Sequence, residues 1–291
     1  MKSVCNSKLC RYLLFAGLLC NVSAAKEAEN IKFVEETCIV ACLPGKGPGQ
    51  YYHWLGAGYL LRPKCFAIDP NDGAFYIPEV DTRENIRLHK FDRNGNFITM
   101  LKPEGKAYFV SDIAVGTNGD IYLYVKRITT IVRGNCISRY NREGKLLNRF
   151  GPKGPITKAD IEAERKAKKQ YLEIPHPEKY FRGGSRIFTL PNDEVFIVQI
   201  RDYEKPILDT FKFDGRSGRL LEHVKENHNL PKEIAKRRVS RLKKLETLHK
   251  VEREQKRITG RSHSLIGPDG IFYYMSVKPE RLEIRRVLFH K

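Results

Sequence analysis

A chain of 291 residues, 41% hydrophobic and 10% aromatic, is long enough for one large core or two modest ones and too apolar to stay disordered. Its formal charge of +19 invites anionic partners. No aromatic residue interleaves its densest Lys/Arg cluster, so the base-stacking surface of a nucleic-acid binder is not expected.

The chain opens with Lys2, Lys8 and Arg11 around the apolar run YLLFAGLLC, followed by Ser23-Ala24-Ala25. That is the layout of a secretory signal, with cleavage expected near Ala25, and the run is too short to span a membrane. Cleavage leaves residues 26–291 as a single domain, secreted or periplasmic, with a charge of +16. Cys20 is a poorer candidate for lipid anchoring, because Leu19 and not a small residue precedes it. Cys38, Cys42, Cys65 and Cys136 remain, either as two disulfides or as small buried apolar residues. Cys38 and Cys42 are too far apart along one strand to bridge each other. No Cys-x-x-Cys pair suggests a structural metal.

From Cys65 onward the sequence repeats itself. CFAIDPNDGAFYI (65–77), DIAVGTNGDIYLY (112–124), RIFTLPNDEVFIV (186–198) and HSLIGPDGIFYYM (263–275) each place an Asn/Asp/Gly/Pro turn between two apolar runs. This is the pattern of a β-hairpin. A third strand follows each hairpin. After the first three, a glycine-bearing turn and a fourth strand follow, as in FDRNGNFITML and YNREGKLLNRF. Repeated four-stranded antiparallel meanders predict the blades of an all-β propeller, each burying its faces only against its neighbours. Four blades are readable; five or six require a copy diverged beyond reading. The last copy stops after RLEIRRVLF, one strand short. Residues 37–43 resemble the fourth strand of an earlier copy, and are expected to complete the last blade and close the ring.

Two segments interrupt the copies, at about 152–182 and 228–260. Both are rich in helix formers and lack hairpin turns, so both read as helical insertions. The second carries eleven Lys/Arg against four Glu over Leu230–Arg257, with Ile234, Val239, Leu242, Leu245 and Val251 as a loose apolar stripe. Either the stripe packs on the propeller and the charges are solvated, or Arg237, Arg238, Lys243 and Lys244 meet a protein or an anionic polymer or surface.

Aligning the copies puts Cys65, Asp112, Arg186 and His263 at one level, just before each innermost strand, with Lys64, Ser111, Ser185 and Ser262 one residue earlier. All are expected at the channel mouth. Asp112 and His263 are the candidate proton-transfer groups; Arg186, Lys64, Ser111 and Ser185 are the candidate ligand contacts. The plainer reading is that channel mouths are wet and such residues need no ligand, Asp112 pairing with Arg186. No metal or other cofactor is expected. The remaining histidines lack ligand spacing, and neither a phosphate-binding glycine loop nor a Gly-x-Ser-x-Gly elbow occurs.

Pro63–Asp69, Gly73–Ile77 and Phe91–Phe97 together resemble an NHL repeat, of the six-bladed propeller superfamily; the likeness is good over residues 37–151 and looser over 183–291. The resemblance implies a propeller and leaves function open. Some NHL-like propellers are amidating lyases or lactonases with a central metal held by several His or carboxylates. One His and one Asp here fit that pattern poorly. The expectation is therefore a binding module, with a hydrolase or lyase in the channel as the alternative.

Overall fold

The computed structural model describes residues 33–52, 54–56, 59–105, 107, 109–128, 133–160, 162–163, 184–190, 192–200, 208–225 and 263–290, some strand positions in their backbone only. The chain enters through β1 (Phe33–Cys42), crosses a loop and a hairpin of β2 (Trp54–Gly56) and β3 (Tyr59–Leu61), and then lays down meanders. Blade 1 is β4 (Ala67–Ile68), β5 (Phe75–Val80), β6 (Ile86–Phe91) and β7 (Phe97–Leu101). Blade 2 is β8 (Phe109–Val115), β9 (Ile121–Ile128), β10 (Arg133–Tyr140) and β11 (Leu146–Gly151), extended by a short fifth strand, β12 (Gly154–Pro155). Blade 3 is β13 (Gly184–Thr189), β14 (Glu194–Ile200), β15 (Leu208–Asp214) and β16 (Leu220–Lys225). Blade 4 is β17 (His263–Ile266), β18 (Phe272–Val277) and β19 (Leu282–His290), and its fourth strand is β1.

The molecule is thus an all-β propeller of four antiparallel sheets. The closing strand lies where expected: Val40 pairs with Ile284 and Cys42 with Leu282, with a bulge between Cys38 and Val40. It is longer than residues 37–43, running back to Phe33 opposite His290.

The four-stranded repeat continues in the packing. Strand alternation gives blades 1 and 2 two apolar faces. Tyr76 and Val80 of blade 1 join Ile121, Leu123 and Val125 of blade 2; Phe75 and Ile77, on the other face, join Met275 and Ile284 of blade 4. Ile137 and Phe150 of blade 2 join Ile197 and Phe213 of blade 3.

The third-turn glycines of blades 1 and 3 also have a packing reason. Gly95 of blade 1 lies so close to blade 4 that an added Cβ would come within 1.6 Å of the Ile39 carbonyl oxygen. Gly218 of blade 3 lies against the Phe150 ring of blade 2. At these two turns the chain presses against the outer strand of the preceding blade where a side chain does not fit, whereas Gly144 of blade 2 meets Leu101 and Pro103 at ordinary contact distance and answers to its φ of 83° instead.

The insertion expected from 152 begins later than that boundary, since Gly154–Pro155 pairs with Phe150–Gly151 as part of blade 2. A helical turn follows, with residues 158–160 and 162–163 helical and Thr157 bonded to Asp160 at its start. The rest of that insertion, all of 228–260, and residues 1–32 with the expected signal lie outside the described residues.

Candidate functional site

Asp112 of β8, Ile187 of β13, His263 of β17 and Phe66 just before β4 come together where the innermost strands meet. β8 carries a bulge between Val110 and Asp112, at Ser111. A bulge re-aims the side chain that follows it. The Asp112 carboxylate accepts the backbone N–H of Ile187, in blade 3, at 3.1 Å, and lies 3.1 Å from Nε2 of His263, in blade 4. One side chain of blade 2 thereby ties two other blades. Blade 1 supplies Phe66, whose ring meets the His263 ring edge-on at 5.4 Å. Asp112 and His263 are 3% and 7% exposed, so the pair sits below the surface and not in an open funnel.

Asp112 takes a blade 3 main-chain amide, and Arg186, opposite Val198, is described in its backbone alone, as is Ser185. Cys65 is fully buried in the apolar contact between blades 1 and 2. Ser111 is half-buried, and Lys64 is exposed with its ammonium 3.9 Å from the Phe109 ring centroid. Arg237, Arg238, Lys243 and Lys244 lie outside the described residues. None of Cys38, Cys42, Cys65 and Cys136 is in a disulfide. Burial pushes the Cys42 thiol up to about 12, with the nearby Glu79 charge adding to it, which makes Cys42 a poor nucleophile.

A second polar constellation escaped the sequence reading. Glu79, at the end of β5, has a fully buried side chain. It forms an ion pair with Arg87, lies 3.0 Å from His89 Nε2, and accepts the Tyr52 backbone N–H at 2.5 Å. Arg87 Nη1 donates to the Lys46 carbonyl at 2.6 Å. Nearby, Arg62 Nη1 donates to the Val277 carbonyl at 3.1 Å, and the Tyr51 hydroxyl reaches the Lys278 and Pro279 carbonyls. These bonds sew the segment leaving β1 onto blades 1 and 4. The signal for it was present in cross-strand spacing, since Glu79 faces Arg87 and Ile77 faces His89 on β5–β6. A third contact, on blade 3, sets the buried Asp209 carboxylate 3.7 Å from His223 Nε2, with Phe211 stacked on the imidazole at 4.1 Å.

Among the described residues, no three His, Cys, Asp or Glu side chains converge as a metal-binding group, and no helix is long and apolar enough to cross a membrane. No protein-family profile matches the chain, and no curated protein matches it in sequence. Among solved structures it is similar to a putative oxidoreductase (glucose dehydrogenase) from Thermus thermophilus. The match has 11% identity, covers 88% of this chain and 100% of that one, and has a TM-score of 0.29. At that score nothing is carried over from it. The propeller rests on this chain's own strand pairing.

Proposed function

We propose that the protein is an exported binding propeller, a rigid scaffold that presents its loops and insertions to a partner, and that the polar pair on its axis is structural. The observation that supports this reading is the engagement of Asp112: one carboxylate is taken up by a main-chain amide and an imidazole from two other blades, beneath the surface. A proton-transfer group must reach its substrate. This one reaches only the scaffold among the groups described above. The partner is a protein or an anionic polymer or surface, met by the basic stretch with Arg237, Arg238, Lys243 and Lys244; this part rests on charge in the sequence.

Asp112→Ala tests the axis. Removing the carboxylate strips the Ile187 amide and His263 of a buried acceptor, at about 1–3 kcal/mol for each group left unsatisfied, so the melting temperature falls sharply. An unchanged melting temperature refutes the structural role. Loss of a measurable hydrolytic or lyase turnover at unchanged stability favours the channel-enzyme alternative, which the carboxylate–imidazole contact keeps in view. For the partner, replacing Arg237, Arg238, Lys243 and Lys244 together by Glu should abolish capture by immobilised anionic polysaccharide or acidic protein. Export is checked by fractionating the native host and sequencing the mature N-terminus, expected at Lys26.

A further inference from the structure

The four blades protect their outer edges differently. In blade 4, β1 carries exposed Glu35 and Glu36; in blade 3, β16 carries exposed Glu222 and His223. In blade 2, β11 carries Asn148 and Arg149, and its end is paired by β12. Charges and added strands are usual means of preventing edge-to-edge association. β7 of blade 1 has neither. A bulge at the second residue is common to β7, β11 and β16, at Ile98, Leu147 and Leu221, so it does not set β7 apart. The sequence of β7, Phe-Ile-Thr-Met-Leu, contains no charge and no proline. Among the described strands it bonds only to β6, and Phe97 and Ile98 are 38% and 51% exposed. Its far end is fixed by the Glu104 N–H bonded to the Gly144 carbonyl of blade 2 at 3.2 Å, so the strand is anchored beyond its last residue. β12 shows that an outer edge of this propeller accepts a fifth strand.

We propose that β7 pairs antiparallel with β7 of a second copy of the chain, joining two propellers about a two-fold axis. The strand is self-complementary in that arrangement. Centred on Thr99, each Phe97 faces the partner copy's Leu101. The exposed Arg93, before the strand, approaches the exposed Glu104 that follows it in the other copy. Such a contact is isologous, so it closes at two copies and does not propagate. Main-chain hydrogen bonds supply the attraction and the apolar side chains the register. The two copies repel elsewhere, because each carries a large positive charge. Added salt screens that net repulsion, weakens only the flanking Arg93–Glu104 attraction and leaves the main-chain contact untouched, so the association strengthens with salt, opposite to one driven by the basic patch.

The experiment is sedimentation of the full chain over a range of concentrations, at low and high salt, with reductant present because Cys38 is exposed. Wild type is expected to dimerise, more tightly at high salt. Ile98→Lys sets a lysine opposite Met100 of the other copy and brings two like charges into diagonal reach on the new sheet, and should weaken the dimer about tenfold or more; Ile98→Val should retain it. At concentrations where all are monomeric, both variants should melt as wild type does, because Ile98 is 51% exposed. Amide exchange at Ile98–Leu101 should slow as concentration rises. A wild-type monomer at every concentration and salt overturns the proposal, as does a dimer that survives Ile98→Lys with exchange at β7 unchanged. Neither result bears on the axial pair or on capture by anionic partners.

Discussion

The seam between blades 4 and 1 and the seam between blades 3 and 4 are built on different principles. At the first, Met275, Val277 and Ile284 pack against Phe75, Ile77 and Phe91. Gly95 presses on the closing strand, and the Glu79 constellation holds the segment leaving it. At the second, the described residues form no shared apolar cluster. Blade 4 turns Tyr274, Ser276, Glu283 and Arg285 to that side, with Glu36 bonded to Tyr274 at 3.0 Å and Arg285 to Glu283 at 3.0 Å. Blade 3 leaves Phe188 52% exposed on its matching face. The link described between these blades runs through Asp112, which belongs to neither. A ring closed by a strand from the opposite end of the chain is most vulnerable where that strand is held, and there the contact is deep and apolar.

The contrast can be broken first at Glu79. Glu79→Ala leaves Arg87 buried without its counter-charge and should cost about 3–5 kcal/mol, read as a collapse of the melting temperature. Little change would mean the segment after β1 is held by other means. Next come the two faces themselves. Met275→Ala, in the core of the first seam, should cost about 2–5 kcal/mol, while Phe188→Ala should stay within about 0.5 kcal/mol. Equal costs in denaturant titration would erase the difference between the seams.

A finer test uses two glycines of similar backbone. Gly95 and Gly270 both have positive φ, 86° and 76°, so alanine strains each by roughly 1–2 kcal/mol. Only Gly95 has Ile39 in the way, whereas an added Cβ at Gly270 meets nothing within 4 Å. Gly95→Ala should therefore be the more damaging of the two, and parity would refute the inter-blade contact. The smallest effect is with pH. Burial, with the Glu280 charge adding to it, raises the Tyr51 phenol to about 12; burial and the Asp269 side chain do the same for Tyr273. Folding holds these protons, so their contribution is complete below the ordinary tyrosine value near 10 and is lost as pH rises from about 10 to 12. Ultraviolet titration should show both ionising late, together with a declining melting temperature. Normal titration of Tyr51 would place it outside the first seam.

The meanders, their turns and the closing strand were all legible in the residues. Each is a local pattern of alternation and turn chemistry, and a missing fourth strand at one end matched a spare strand at the other. The common level of Asp112 and His263 was legible for the same reason. Their contact was not. The two lie 151 positions apart, and a bulge at Ser111 decides where the Asp112 carboxylate points. The Ile187 amide of blade 3 that donates to Asp112 belongs to the main chain, and no side-chain pattern in the sequence announces it. Glu79, Arg87 and His89 read as ordinary strand residues until the segment at Lys46–Tyr52 lay across them.

The sequence alone determined that this chain repeats an antiparallel meander and that a strand near Val40 suits the last copy, because strand alternation, turn glycines and the likeness of 37–43 to an earlier fourth strand are written locally. Tertiary structure alone decided which polar groups share a buried space, which seam is apolar and which outer edge is left uncharged and exposed. Those outcomes depend on twist, bulges and contacts between residues far apart in the chain, and no local pattern encodes them.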